Sequence, residues 1–123
     1  MRTLTLIIVI LCVLPLHGAE LRSPSTTLYV SPAGNDLWSG RLPSPNPMRT
    51  DGPLATVHRA RAMVRRIMKT ITPASDTVTV YLRGGTYVLD SSLAFRESDS
   101  GSERMPLLWA AFQGERVRIT GGP

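Results

Sequence analysis

The sequence is poor in cysteine, lysine and aromatic residues. Its 123 residues include one cysteine, Cys12, and one lysine, Lys69, so that thirteen of the fourteen basic residues are arginine. Aromatic residues make up 6% and charged residues 19% of the chain. A hydrophobic content of 42% with ten glycines and ten prolines argues against a disordered, collagen-like or polytopic membrane protein and permits at most one globular domain. The formal charge of +5 is compatible with an anionic partner but does not select one.

The N-terminus has the layout of a secretory signal peptide. Arg2 precedes an apolar run over residues 6–14, which polar residues follow from Glu20 onward. This run is shorter than the roughly 20 residues that a membrane-spanning helix needs. Residues 1–19 are therefore predicted to be a signal peptide cleaved after Ala19, which leaves 104 of the 123 residues. The expected location is secreted or periplasmic, without membrane association after cleavage. Cys12 lies within the predicted signal peptide and would be removed by cleavage, so the mature chain is expected to lack disulfides and thiol nucleophiles.

Residues 20–53 are predicted to form an N-terminal strand and a loop rich in proline and glycine. The strand is a short apolar run over residues 28–30, and residues 31–36 are dense in turn-forming residues. Trp38 is expected to pack the loop against the rest of the chain, because an indole ring buries a large area. Asp36 and Asp51 are interpreted as acceptors of local backbone hydrogen bonds.

Residues 54–72 are predicted to form an amphipathic helix. Thr56 is placed to cap its first turn, and Pro73 ends it. The apolar residues of the segment recur at spacings of three and four, which predicts one buried stripe. They are Leu54, Val57, Ala60, Val64, Ile67, Met68 and Ile71.

The opposite face of this helix is basic, with His58, Arg59, Arg65, Arg66 and Lys69. It is interpreted either as a site for acidic polysaccharide, nucleic acid or anionic lipid, or as a solvated outer face. The second interpretation is favoured because no aromatic residue is interleaved for stacking on bases. His58 has no serine or carboxylate close in sequence, so it is interpreted as a helix-surface residue rather than a general base.

After Asp76 the hydrophobic period changes to two, which predicts β-strands. Short strands are predicted at residues 77–83, 86–89, 93–95, 107–112 and 117–120, with Gly84-Gly85 as a turn. The two longer apolar runs begin at Val78 and Leu107, 29 residues apart. Short strands with weak self-similarity at this spacing favour a solenoid of coils over a closed barrel.

An acidic loop spans residues 97–103 and contains Glu97, Asp99 and Glu103. Oxygen-rich loops of this kind can hold calcium. The spacing matches no defined calcium-binding loop, so an exposed turn is the favoured interpretation.

Several short phrases follow one another along the mature chain. They are YVSPAGND at residues 29–36, WSG at 38–40, TDGPLAT at 50–56, RGGTY at 83–87, DSG at 99–101, GE at 114–115 and ITGG at 119–122. This ordered set resembles the opening of secreted right-handed parallel β-helix proteins of the pectate-lyase-like superfamily, which includes β-helix glycoside hydrolases.

The resemblance implies a mainly β fold that is the start of a right-handed parallel β-helix, or solenoid. In such proteins an amphipathic helix caps the open end, a role that residues 54–72 would take. Residues 76–123 would form the first one or two coils, truncated. Catalytic residues of the family lie on later coils and match no position here, so no catalytic, cofactor-binding or metal-binding residue is assigned.

The resemblance also implies a function. The chain would be the N-terminal capping fragment of a secreted polysaccharide-degrading glycoside hydrolase or lyase, without catalytic activity by itself. The alternative is a non-catalytic carbohydrate-binding or cell-surface β-helix protein. A smaller alternative is an independent secreted module that binds polyanions through the helix arginines. A polysaccharide is the expected partner of the full-length relative, and neither nucleic acid nor a cofactor is expected.

Overall fold

The structure is a computed structural model that describes residues 25–70, 77–101 and 105–121. Its elements, in chain order, are β1 (Thr26–Val30), α1 (Val57–Thr70), β2 (Val78–Leu82), β3 (Gly85–Val88), a 3-10 turn (Glu97–Asp99), β4 (Leu107–Ala111), a second 3-10 turn (Phe112–Gly114) and β5 (Val117–Thr120). The described part of the chain is therefore mainly β with a single helix, as predicted.

The strands form two parallel sheets. One sheet has the order β1-β2-β4, and the other pairs β3 with β5. Val78 pairs with Leu107, so the two apolar runs that begin 29 residues apart lie side by side. Because β2 leads into β3 and β4 leads into β5, two strand-corner-strand units are stacked in register. This arrangement is consistent with the start of a β-helix.

The core lies between the inward faces of the strands and α1. In β2 the side chains of Val78, Val80 and Leu82 are buried, and the residues between them are half-buried, which confirms the predicted alternation. Full burial of each such side chain contributes about 1.5–3 kcal/mol. The buried core also contains Leu28, Val30, Leu54, Val57, Ala60, Val64, Tyr87 and Met105.

The helix begins where the predicted cap places it. Thr56 Oγ1 accepts a hydrogen bond from the backbone N–H of Arg59 at 3.1 Å, so Thr56 is the N-cap of α1. Val57, Ala60 and Val64 form the buried stripe. The helix starts three residues later than the segment 54–72, because Leu54 is extended and forms a parallel bridge with Val30. The predicted end at Pro73 lies outside the described residues.

The loop between β1 and α1 covers the outer edge of β1. The backbone N–H of Tyr29 donates to the Gly40 carbonyl at 2.7 Å, and the N–H of Leu54 donates to the Tyr29 carbonyl at 2.9 Å. Gly34 packs so closely against this segment that a Cβ would lie 2.2 Å from the Leu54 carbonyl oxygen. Trp38 packs against Gly52, which belongs to the same loop, so its packing against the rest of the chain stays a prediction. The outward backbone groups of Tyr29 on the β1 edge are thus satisfied within the chain.

The predicted strand at residues 93–95 is wrong. This segment has no strand pairing, and the Ala94 carbonyl instead accepts a hydrogen bond from the Arg61 guanidinium of α1. Phe95 is 54% exposed and packs edge-on against Trp109, with ring centroids 5.7 Å apart. A strand needs a neighbouring backbone, and this segment lies beside a helix side chain.

The predicted signal peptide, residues 1–19, lies outside the described residues. Within residues 25–70, 77–101 and 105–121, no helix combines the length and the apolar character needed to cross a membrane.

Truncation of Leu54 should destabilise the fold strongly, because its side chain is fully buried under the loop. We expect Leu54→Ala to lower the free energy of unfolding by about 2–5 kcal/mol in urea denaturation. The matched control is Leu37→Ala, since Leu37 is 92% exposed, and its effect should stay within about 0.5 kcal/mol. Equal effects of the two substitutions would contradict the placement of Leu54 in the core.

Candidate functional site

Outward-facing aromatic side chains form one cluster on the three-stranded sheet. Tyr29 and Tyr81 are register partners on β1 and β2, and their rings stack with centroids 5.9 Å apart and an interplanar angle of 25°. Phe112, directly after β4, packs edge-on against both rings at 5.7 Å. Stacked and edge-on pairs are the favoured geometries of aromatic rings. The cluster therefore ties the three strands together at the end of β4.

An ion pair joins the corners of the two stacked units. Arg83 Nε donates to Glu115 Oε1 at 2.7 Å, and Arg83 Nη2 lies 3.2 Å from Glu115 Oε2. The Gly84 N–H also donates to Glu115 Oε1, at 3.2 Å. The hydrogen bond from Arg83 lowers the pKa of Glu115 below its ordinary value. Glu115 is therefore held as a bound carboxylate and is poorly suited to act as a general acid.

The Arg83 guanidinium has two further contacts at the same corner. It donates to the Pro43 carbonyl of the β1–α1 loop and lies over the Phe112 ring, 4.7 Å from the centroid. Ion pairing with Glu115 raises the pKa of Arg83, so the group stays charged. One side chain thus connects the loop, the corner after β2 and the corner after β4.

The buried side chain of Tyr87 stabilises the corner after β2 through its hydroxyl group. Its hydroxyl lies 2.9 Å from the Val30 carbonyl oxygen and 2.6 Å from the Arg83 carbonyl oxygen. Burial raises the pKa of Tyr87 to about 12, so the hydroxyl remains a neutral donor. Sequence reasoning quoted this residue within the phrase RGGTY but assigned it no role.

Asp36 and Asp51 connect distant parts of the chain, and the interpretation of local hydrogen bonds is wrong. Asp36 Oδ1 accepts from the backbone N–H groups of Ala55 and Thr56 at 2.9 and 3.0 Å, at the entry to α1. Asp51 accepts from the N–H and the hydroxyl of Ser39 at 2.8 and 2.9 Å. These hydrogen bonds lower the pKa of Asp51. The partners lie 12 to 20 residues away in sequence, so spacing alone did not reveal them.

Asp99 is buried and ion-paired, so the expectation of an exposed turn is wrong for this residue, whereas Glu97, Ser100 and Gly101 beside it are exposed. Its carboxylate, in a residue 6% exposed, accepts from Nε of Arg65 and, at 2.6 Å, from Nη2. The backbone N–H of Arg96 donates to Oδ2 at 2.7 Å. The hydrogen bond from Arg65 is the main reason that the pKa of Asp99 falls to about 2.

This ion pair bears on two of the sequence interpretations. Calcium binding in the acidic loop would need the oxygens of Asp99, which α1 and the Arg96 N–H already occupy. Glu97 is exposed, and Glu103 lies outside the described residues. The solvated-face interpretation of the helix holds for Arg66 and Lys69, which are exposed, but not for Arg65.

His58 lies at a cleft of about 330 Å³ between the start of α1 and β3. Its Nε2 is 3.1 Å from Ser91 Oγ, a residue 33 positions away that sequence reasoning did not connect with it. The Asp90 carboxylate is on the Ser91 side of this pair: its Oδ1 lies 3.4 Å from the Ser91 hydroxyl oxygen. Among the described residues no carboxylate contacts the imidazole, so the pair lacks the group that orients a catalytic histidine.

Most of the described carboxylates accept hydrogen bonds that connect separate segments of the chain. Asp36, Asp51, Asp99 and Glu115, which are half-buried or buried, all accept hydrogen bonds from arginine, serine, threonine or backbone donors. Glycosidic-bond hydrolysis needs two carboxyl groups that face the substrate. In the described part of the chain, no group of three histidine, cysteine or acidic residues could hold a metal ion.

Comparisons with known proteins support a pectate-lyase-like or glycoside-hydrolase-like chain. The chain is 32% identical over 94 residues to the pectate lyase PEL9 of Emericella nidulans, a match covering 76% of this chain and 18% of that protein. A solved glycoside hydrolase matches 78% of this chain and 15% of its own, with a TM-score of 0.61 and 28% identity.

No protein-family model matches the chain. The chain spans less than a fifth of the length of both relatives. It is therefore similar to part of a pectate lyase in sequence and to part of a glycoside hydrolase in structure, and both relatives are carbohydrate-active enzymes.

Acid should weaken the Arg65–Asp99 ion pair that connects α1 with the Glu97–Asp99 turn. Because the pKa of Asp99 is about 2 in the folded state and its ordinary value is 3.8, its contribution to stability is fully present above about pH 4 and disappears as the pH falls through 2. We expect Asp99→Asn to lower the melting temperature at neutral pH and to flatten its decline between pH 4 and 2. Asp90→Asn, at an exposed carboxylate, is the control and should do neither.

Proposed function

We propose that the chain forms the N-terminal end of a longer, secreted right-handed parallel β-helix of the polysaccharide-degrading type. In this proposal residues 1–19 are the signal peptide, residues 20–53 the N-terminal strand and the loop that covers it, residues 54–72 the capping helix and residues 76–123 the first one or two coils. Polysaccharide is the substrate of the whole protein, a glycoside hydrolase or lyase. This chain has no catalytic activity by itself.

A difference between the two edges of the three-stranded sheet carries the proposal. The β1 edge is closed, because Gly40 and Leu54 take up the backbone groups of Tyr29. At the other edge, β4 pairs with β2 on one side, and no described strand pairs with its other side. In the second sheet β5 likewise pairs with β3 on one side, and no described strand pairs with its other side. Parallel strands of a solenoid pair on both sides except at its ends. The closed edge fits an end of the solenoid, and the open edge fits the attachment of a further coil.

Burial of the inward side chains decreases from the β1 edge to the β4 edge. Leu28 and Val80 are fully buried, whereas their register partner Trp109 on β4 is half-buried. The indole Nε1 of Trp109 is shielded from solvent and has no hydrogen-bond partner among the described residues. An additional coil would cover this ring and could supply an acceptor for its N–H.

The helix supports the capping role. Val57, Ala60 and Val64 bury the apolar stripe of α1 on the core beside β1. The opposite face carries exposed charge, including Arg66 and Lys69. An end unit with one apolar face and one charged face protects the first coil from water, which is what terminal units of solenoids require.

The roles of the described carboxylates support the proposal that this chain has no catalytic activity by itself. The buried and half-buried carboxylates of the described residues accept hydrogen bonds that tie segments together. Acid–base cleavage of a polysaccharide would then depend on residues of later coils.

The coding sequence beyond the Pro123 codon tests the proposal. We expect an open reading frame that continues with short strands at a spacing near 29 residues, the offset at which β2 and β4 pair, and with grouped aspartate and glutamate. Coils without grouped carboxylates would contradict the enzyme and favour a non-catalytic carbohydrate-binding or cell-surface protein. A continuation without any coil-like repeat would contradict the β-helix itself.

The open edge should make the isolated chain associate with itself. We expect sedimentation velocity to show concentration-dependent association, because unpaired strand edges add to one another. Leu108 faces outward on β4 and is 51% exposed, and Leu108→Lys should shift the chain toward monomer because charged residues on edge strands oppose pairing.

The matched control is Leu37→Lys in the covering loop, at a residue 92% exposed. This variant should associate as the unmodified chain does. A chain that stays monomeric at all concentrations, or equal effects of the two substitutions, would contradict an open edge at β4.

A further inference from the structure

The second sheet begins one strand later than the first. After Val30 the chain enters the loop that leads to α1, so β1 is followed by no strand that could pair with β3. Among the described strands β3 therefore pairs with β5 alone and is the terminal strand of its sheet. The loop closes the β1 edge at Tyr29, whereas the β3 edge has no such cover among its described backbone contacts.

Half of the backbone groups of β3 point away from β5. The N–H of Gly85 donates to the Arg116 carbonyl at 3.0 Å. Because successive residues of a paired strand direct their backbone groups to opposite sides, the N–H and carbonyl groups of Thr86 and Val88 face away from β5. In the described part of the chain these groups have no hydrogen-bond partner. β3 thus offers two donors and two acceptors to a further strand.

This free edge lies at the cleft of about 330 Å³ that contains His58. Thr86 and Val88 line one wall, and the start of α1 together with Pro32 and Ala55 forms the other. The volume is at the small end of the range for ligand sites. The cleft therefore fits a few residues of one extended segment rather than a folded element.

The composition of β3 does not oppose the addition of a strand. Exposed strand edges are usually protected by charged side chains, by proline or by a covering segment. β3 contains neither a charged residue nor proline, and Val88 is 63% exposed. At β1, by contrast, Gly40 and Leu54 occupy the outward backbone groups of Tyr29.

The charge at the cleft indicates which kind of segment it suits. Asp90 lines the cleft and is exposed, and of the described side chains only Ser91 contacts its carboxylate. His58 also lines the cleft, and its Nε2 lies 3.1 Å from Ser91 Oγ. No lysine or arginine is among the described lining residues. A basic side chain on an added strand would complement Asp90, and an acidic one would be repelled.

We propose that the free edge of β3 binds an extended segment of a partner protein as an additional β-strand. The segment alternates apolar and polar side chains and carries a basic residue. Its backbone pairs with Thr86 and Val88, which supplies affinity, and its basic side chain lies near Asp90, which supplies specificity. This binding site is independent of the proposed enzymatic role of the whole protein.

Titration with the peptide acetyl-TVKVT-amide tests the added strand. The 123-residue chain, labelled at its N-terminus and kept dilute enough to be monomeric, is followed by thermophoresis, and we expect saturable binding. Undetectable binding up to about 1 mM peptide would overturn the proposal.

Two N-methylated forms of the peptide test whether its backbone pairs with β3. One form is methylated at both valine nitrogens, and the other at the nitrogens of the lysine and the second threonine. These two sets of N–H groups point to opposite sides of an extended strand. One form should therefore bind at least about tenfold more weakly than the parent peptide, and the other within about threefold. Equal losses in the two forms would overturn strand addition.

Val88→Pro tests the same contact from the protein side, because it removes an N–H that faces the cleft and keeps those that face β5. It should weaken peptide binding about fivefold or more, with an unchanged circular dichroism spectrum. The matched control is Ala111→Pro at the end of β4, where φ is −69° and the N–H faces away from β2. Equal affinities of the two variants would overturn the proposal. If Val88→Pro fails to fold, the methylated peptides decide.

The peptide acetyl-TVEVT-amide tests the requirement for a basic residue. It should bind about fivefold more weakly than the lysine peptide. Asp90→Asn should reduce this preference, and Glu97→Gln, at an exposed carboxylate that does not line the cleft, should leave it unchanged. Equal binding of the two peptides, or a preference that persists in Asp90→Asn, would overturn the choice of a basic segment.

Sedimentation velocity of Val88→Pro distinguishes a partner segment from a second copy of the chain. The variant should associate as the unmodified chain does. Reduced self-association together with undetectable peptide binding would overturn the proposal in favour of pairing between two copies through β3. None of these outcomes bears on whether the coding sequence continues into further coils, so a failure here is distinct from a failure of the proposed function.

Discussion

The fold depends on the hydrogen-bonding needs of parallel strands. Each strand has donors and acceptors on two sides, and leaving them unpaired and shielded from water costs free energy. At β1 the loop satisfies the outward N–H and carbonyl of Tyr29, through Gly40 and Leu54. At β4 no described strand pairs with the outward side. This asymmetry gives the molecule a closed end and an open end, and the interpretation of the chain as one end of a solenoid follows from it.

Arginine side chains hold the closed end together. Arg83 connects the loop to both corners through Pro43 and Glu115, and Arg65 connects α1 to the Glu97–Asp99 turn. Planar guanidinium groups bind two acceptors in fixed directions, which suits them to join segments that come from distant parts of the chain. The arginine-rich composition therefore has a structural use as well as a charge. The same contacts occupy carboxylates that would otherwise be candidates for catalysis.

Much of this architecture was predictable from local patterns. The alternation in β2, the cap at Thr56 and the 29-residue echo between Val78 and Leu107 all appear in the structure. Partners of Asp36 and Asp99 were not predictable, because those contacts join residues about 20 and 34 positions apart. The strand expected at residues 93–95 failed for the same reason, since a helix arginine takes up the Ala94 carbonyl.

Amide hydrogen exchange at two residues tests the closed and open ends most directly. The Tyr29 N–H points away from β2 and donates to Gly40, and the alternation of the parallel ladder turns the Trp109 N–H away from β2 on the other side. At concentrations low enough to keep the isolated chain monomeric, we expect strong protection of the Tyr29 amide and exchange at least about tenfold faster at Trp109. Equal protection of the two amides would contradict a chain with one closed and one open end.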